Sequence, residues 1–251
     1  MSKTSIFVKG GYRYIPGVFQ YSAGVAAEPG FRIERLQFRN PLPIVQGFEA
    51  AENYLAGIGR DATAFCACEL RSPAPFTEEG FRSFNREYVG TLQRWGIFCN
   101  EENPVARTNV CPEFDKPSEP VMHAFSYTVP TDRKERGAGF IVAGSGEATE
   151  GQANYRDTIV RLGETSPDAI RAKVHFVVQV MEQRLRSLGF EWSDANRVHA
   201  YTIHDIGWLV ANDFAKPGLV PHGLTWVYSR PPVVDIEFEM DVHGAVREFI
   251  V

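Results

Sequence analysis

The two halves of this chain carry one pattern, and that pattern restricts its architecture more than any other property. Gly17–Ala27 (GVFQYSAGVAA) and Gly139–Thr149 (GFIVAGSGEAT) are both strand-like runs broken by small residues. Ile33-Glu-Arg-Leu36 is answered by Ile159-Val-Arg-Leu162, and both offsets are roughly half the chain. A Pro- or Gly-rich turn and then a helical stretch follow in each half. A repeat this long implies a duplicated compact unit, not a solenoid. At 251 residues the chain can bury one large core or two smaller ones.

The helices read directly from apolar spacing. Ile170, Val174, Val177, Val178, Met181, Leu185 and Leu188 recur at helical intervals. Ser166 is placed to cap that helix, Pro167 to occupy its first position and Gly189 to stop it. Phe48, Ala51, Leu55 and Ile58 make a shorter stripe ending at Gly59. A further helix is expected over Glu78 to Trp95, with Phe81, Phe84, Tyr88, Leu92 and Trp95 as a core-packing face. Strands are expected at Ala64–Leu70, Val198–Asp205, Leu224–Arg230 and Val234–Val242, and a shortened helix near Gly207–Phe214. In the last strand, Val234, Ile236, Phe238 and Met240 alternate with Asp235, Glu237, Glu239 and Asp241. That spacing favours a solvated sheet face, with one carboxylate lining a cleft as the alternative. Strands in one layer and helices in the other give an α+β class. The junction is expected near Tyr127–Gly137, where Pro130 and the run TDRKERG break the pattern, so that residues 1–126 and 127–251 form the two domains.

Composition excludes several functions. Hydrophobic residues make up 44% and charged residues 23%, as in ordinary globular proteins. The formal charge of −5 argues against nucleic acid as the main ligand, because phosphate binding needs clustered basic residues. No apolar run approaches the ~20 residues of a membrane span, so no membrane partner is expected. The first residues, MSKTSIFVKGGYRY, hold no secretory signal pattern. Four cysteines, all in the first half, suit a reducing cytoplasm better than a disulfide framework. Cys66 and Cys68, at i and i+2, are expected to face one way along a strand. No further spacing completes a zinc site, and no metal is expected.

Nucleophile-elbow, zincin, P-loop and dinucleotide motifs are absent. His199 and His204 share a strand stretch and are expected to face opposite sides as structural residues, while His123 and His222 stand near element ends. Arg107, in NPVARTNVC (103–111), leads from a loop into a short strand. A guanidinium there is either a surface ion-pair partner or a bidentate clamp for a carboxylate.

These residues together resemble the Rid (reactive intermediate deaminase, YjgF-type) family, present twice in tandem. Pro104-Val-Ala-Arg107-Thr-Asn-Val resembles the family's arginine motif, and Phe84-Asn85-Arg-Glu-Tyr88 its aromatic-Asn helix. Phe140–Glu147 (FIVAGSGE) resembles the Ser-Gly-Gln strand end, and Ile236-Glu237-Phe-Glu239 the final strand. Val178–Gly189 with 194–205 resembles the long helix and the strand after it, and Tyr127 stands where the family has an early pocket tyrosine. The resemblance implies two Rid/chorismate-mutase-like domains, each a mixed, mainly antiparallel sheet packed by two helices. It implies hydrolytic deamination of an enamine or imine next to a carboxylate, of 2-aminomuconate or 2-aminoacrylate type, to a 2-keto acid and ammonia. It implies Arg107 as carboxylate clamp and Glu237 as acid–base residue, with Tyr127, Ser145, Gly146, Asn109 and His222 holding substrate. No cofactor is implied, the partner is a small anionic substrate, and the assembly is a homo-oligomer, a trimer by analogy. The half-two counterpart of Arg107 is His222, and Glu237 has no clear counterpart in half one, so the site is expected to be composite. The alternatives are a chorismatase-like enzyme acting on a dicarboxylate enol ether and a non-catalytic ligand-binding or chaperone-like module. An endoribonuclease is opposed by the acidic charge.

Overall fold

A computed structural model of the chain describes residues 3–132, 139–151, 155–215, 218–219 and 223–251. The elements run β1 (Ser5–Phe7), β2 (Tyr12–Ile15), β3 (Gly24–Ala27), β4 (Phe31–Pro43), α1 (Ile44–Gly57), β5 (Phe65–Arg71), α2 (Glu78–Arg94), β6 (Ala106–Pro112) and β7 (Val121–Pro130). They continue with β8 (Phe140–Gly146), α3 (Pro167–Leu188), β9 (Arg197–Tyr201), β10 (Leu224–Val227), β11 (Ser229–Arg230), β12 (Glu239–His243) and β13 (Arg247–Ile250).

Local chemistry sets the helix ends as the sequence predicts. Ser166 Oγ accepts from the Ala169 N–H at 3.3 Å, Pro167 opens α3, and Gly189 ends it at φ 86°. The apolar stripe of α3 lies on one sheet, together with Phe238, Met240 and Val242. Phe48, Ala51 and Leu55 of α1 and Tyr88 and Leu92 of α2, with Trp95 just beyond it, cover the other sheet. Ile58 is 42% exposed, since α1 ends before reaching it. Phe81 departs from the expected core role and lines a cavity beside Arg107, while Phe84 packs against the core and also approaches Arg107.

Among the described residues, seven strands pair in the order β1-β2-β3-β8-β12-β9-β10 and six in the order β11-β6-β5-β7-β4-β13. Inside them one block occurs twice: β6-β5-β7-β4 and β10-β9-β12-β8. In both blocks the first pair is parallel and the next two are antiparallel. The chain is therefore a tandem α+β protein. In the second unit the second helix is shortened, as expected, to 3-10 and π turns over Gly207–Phe214 beside the long α3.

The repeat pairs different segments from those the local patterns suggested. Phe31–Pro43 corresponds to Phe140–Gly146, whereas Gly24–Ala27 is the antiparallel neighbour of β8. Both are rich in small residues because they share one close-packed environment: a Cβ on Gly24 would sit 3.1 Å from the Ile141 carbonyl and 3.2 Å from Leu188. Residues 159–162 form turns, not a strand. Position 126/127 falls inside β7, and β1–β3 pair into the sheet of the second unit while β11 and β13 pair into that of the first.

The sheets face each other, with helices outside. The layer between them is made by Tyr12, Val25, Ile33, Cys66, Ala67, Ala106, Ile141 and Ala143. Cys66 lies in this layer while Cys68 packs on the helix side, because the β5–β7 register shifts between Phe65 and Ala67. Burial pushes both thiols up, Cys68 to about 12. No helix among the described residues is long and apolar enough to cross a membrane.

Candidate active site

Where β6 of one sheet approaches β8 and β12 of the other, the two units enclose a cavity of about 430 Å³. Arg107 and Asn109 reach it from β6, Gly144 and Gly146 from β8, and Glu239 from β12, with Tyr21, Glu150 and Tyr155 from connecting segments.

Arg107 is only 3% exposed. Its Nη1 donates to Asn85 Oδ1 on α2. Its guanidinium carbon lies 4.8 Å from the Tyr88 ring centre, 5.2 Å from Tyr21, 5.5 Å from Phe81 and 5.9 Å from Phe84. The aromatic faces stabilise the cation and fix its plane. Among the described residues Arg107 forms no ion pair, so a buried positive charge stands at the cavity wall with donors to spare. Asn109 adds another donor: its Oδ1 accepts from Ser72 Oγ at 3.0 Å, while its buried Nδ2 has no partner. Such an orphan calls for a ligand or water.

Glu239 is 4% exposed and borders the same cavity. Burial pushes its carboxyl well above the usual range, and the negative charges of Asp241, Glu150 and Glu147 add to this against Arg107. Two glycines admit the acid strand. A Cβ on Gly144 would meet Glu239 Oε1 at 2.1 Å, and one on Gly146 would meet Ile236 Cγ2 at 2.6 Å. Glu147, ion-paired to Lys173 at 3.0 Å with both side chains fully buried, accepts the N–H of Glu237 at 2.7 Å and of Phe238 at 3.0 Å. That grip fixes the chain immediately before Glu239.

The acidic face foreseen over residues 234–242 is not a wet sheet face. Regular strand begins only at Glu239, and Asp235 sits at φ 73°, so alternation fails ahead of it. The four carboxylates part company: Asp235 pairs with Arg156, Glu237 with His204 at 2.7 Å, Glu239 enters the cavity and Asp241 is buried between the sheets. The bond from His204 holds Glu237 below the usual carboxylate range.

Of the residues named from sequence, Arg107, Asn109 and Gly146 line this cavity. Ser145, between two lining glycines, points the other way and lies 3.3 Å from Arg184 Nη2. Tyr127 is buried against α1, hydrogen-bonded to Tyr54 at 2.8 Å and donating to Glu34 at 3.2 Å. Glu237 lies outside the cavity lining, and His222 lies outside the described residues. Tyr21, Gly144, Glu150 and Tyr155 were not anticipated; Tyr21 donates to Glu150 at 3.0 Å, which also pairs with Arg184 at 2.8 Å. His123 is pushed down to about 4 by burial and stands away from the cavity.

His199, Asp241 and His243 bring three possible metal-ligand atoms within 4.8 Å. Asp241 already takes part in three hydrogen bonds, however. Oδ1 bonds His199 Nδ1 at 2.7 Å, and Oδ2 accepts from Thr108 at 2.7 Å and Tyr201 at 2.9 Å. A cation bridging the three would displace the His199–Asp241 bond, whereas the buried ring nitrogens of His243 have no hydrogen-bond partner among the described residues and could serve as ligands.

A family model described as "2-aminomuconate deaminase CnbZ" matches residues 4–249. A 2-amino-5-chloromuconate deaminase from Comamonas testosteroni is 54% identical over 250 residues, covering 100% of both chains. Among solved structures, a chorismatase superposes with a TM-score of 0.53 at 11% identity, covering 89% of this chain and 77% of that one; the likeness is one of fold. The YjgF gene product from E. coli gives a TM-score of 0.31 at 15% identity over 43% of this chain and 81% of that one.

Proposed function

This chain belongs to the CnbZ family of 2-aminomuconate deaminases, and from that premise we propose that it hydrolyses the enamine of a 2-aminomuconate-type dicarboxylate to the 2-keto acid and ammonia. The observation that carries this reading is a buried arginine with no ion-pair partner among the described residues, set in one cavity with a buried, pKa-raised carboxyl.

In this proposal Arg107 grips the carboxylate beside the amino-bearing carbon through two parallel N–H···O bonds, and Asn109 Nδ2 supplies a third donor. Glu239 replaces Glu237 as the acid–base residue. With burial favouring its protonated form, it protonates the enamine carbon, which converts C=C–NH2 to a protonated C=N bond. Water then adds to the C=N carbon while Glu239 takes up the water's proton. Passing it to nitrogen makes the amine a leaving group; as the C–N bond breaks and ammonia departs, Glu239 takes back the hydroxyl proton and C=O forms. One water is consumed and the carboxyl ends as it began. No residue needs to bond covalently to substrate, because a protonated imine is already electrophilic. Tyr21, Glu150 and Tyr155 would orient the amino group and water.

The test is ammonia release from freshly generated 2-aminomuconate and its 5-chloro derivative, by wild type and R107A. Release by wild type that R107A retains in full would overturn the clamp, and no release by wild type would overturn the activity.

Three coarser readings accompany it. The divisions 1–126 and 127–251 are proposed as units of descent whose outer strands have been exchanged, which would account for β1–β3 pairing across. A homotrimer is proposed, supported by exposed Trp226, Tyr228 and Phe114 by the edge strands β10 and β11 of the two sheets, with the last two rings stacked at 5.6 Å. Residence in the cytoplasm is proposed on the four unpaired cysteines.

A further inference from the structure

The clamp and the acid belong to different sheets, so their separation depends on what ties those sheets together beside the cavity. Much of the layer between them is small and apolar, which packs without fixing direction. Thr108 is different. It lies on β6 between Arg107 and Asn109 and is 2% exposed. Its Oγ1 donates to Asp241 Oδ2 at 2.7 Å and accepts from the Gly144 N–H at 3.1 Å. Asp241 stands two residues beyond Glu239 on the same strand, and Gly144 is the residue against which the Glu239 carboxyl lies. One hydroxyl thus connects the strand carrying the clamp to both strands that place the acid. Asp241 is itself held in one orientation by His199 and Tyr201.

We propose that Thr108 is a positioning residue for the deamination: its bridging hydroxyl sets the distance between the carboxylate held by Arg107 and the proton of Glu239. The inference rests on the deaminase reading above. Its hydroxyl lies across the strand from the substrate contacts, so substrate binding through Arg107 and Asn109 survives its loss, while alignment of the reacting carbon does not. Small misplacements of this kind cost rate far more than affinity.

The experiment measures kcat and KM for ammonia release from 2-aminomuconate by wild type, T108V, T108S and Y201F, with thermal melts of each. T108V removes the bridge at nearly constant volume, T108S keeps it, and Y201F removes one hydrogen bond to Asp241 without touching β6 or Gly144. The expected result is a fall in kcat of roughly tenfold or more for T108V with KM within about threefold. T108S and Y201F should stay within about threefold of wild type in both. If T108V does not fold, T108A is measured in its place. A hydroxyl-free variant with wild-type kcat, an equal fall in Y201F, or a T108S no better than T108V would each overturn the proposal while wild-type deamination stands. An inactive wild type would overturn the deaminase reading and this inference with it.

Discussion

Replacing Glu239 by glutamine separates two consequences of its surroundings. The carboxyl is fully buried and faces Asp241 on its own strand, Glu147 and Glu150 beyond β8, and Arg107 on β6. Its pKa stands well above the ordinary 4.5. Between those two values the native state holds a proton that the unfolded state has released, so stability falls with rising pH by up to about 1.4 kcal/mol per unit. The contribution is present in full below the unfolded value and is lost as pH rises through the folded one. Glutamine has no such proton. E239Q should therefore match wild type near pH 4 to 5, allowing for a constant offset, and gain on it progressively as pH rises above that range. Each 1 kcal/mol corresponds to roughly 2–4 °C in Tm for a chain of this size. The same change removes the transferable proton, so kcat should drop by about 10²–10⁴. Thermal melts of both proteins at half-unit pH steps, with ammonia release at each, provide the data. A stability gap that stays flat across this range would mean that Glu239 ionises like any exposed glutamate. An E239Q enzyme with wild-type kcat would remove Glu239 from the chemistry.

R107K should lower kcat/KM by about 10²-fold, because lysine keeps the charge but loses the planar pair of donors; steady-state kinetics that leave it near wild type would refute bidentate binding. G144A forces a methyl onto the position 2.1 Å from Glu239 Oε1, and kcat should fall at least tenfold (an order-of-magnitude figure for about 1 Å of displacement) with the fold intact by circular dichroism. E237Q, outside the cavity lining, should change kcat by less than about threefold and cost on the order of 1 kcal/mol for its partly buried His204 pair, read by urea melts. K173M strands the buried Glu147 carboxylate and should destabilise by about 3–5 kcal/mol, seen as a lower urea midpoint.

Chain position alone leaves Arg107 open between a surface ion pair and a clamp; the resemblance of PVARTNV to the family's arginine motif points to a site, and the structure places Arg107 at the cavity. Its acid partner was harder to read. Strict alternation puts Glu237 and Glu239 on one face, and only the left-handed Asp235 and the grip of Glu147 on residues 237–238 send one to the cavity and the other to His204. Tyr127 lies off the cavity for a similar reason. Its strand position was right, but its ring turns toward Tyr54 on α1, a choice made by packing between distant elements. The α3 caps and stripes are written in adjacent residues and were read correctly. The pairing of β3 with β8, and of β13 with β4, joins segments far apart in sequence and leaves no periodic trace. Tyr21, Glu150 and Tyr155 reach the cavity from irregular segments, where spacing carries no information about direction.

The most direct test is a crystal structure with muconate, which has both carboxylates but no amino group to lose. One carboxylate should lie about 3 Å from two guanidinium nitrogens of Arg107, with the adjacent carbon turned toward Glu239. Muconate bound elsewhere, with Arg107 still unoccupied, would contradict the account.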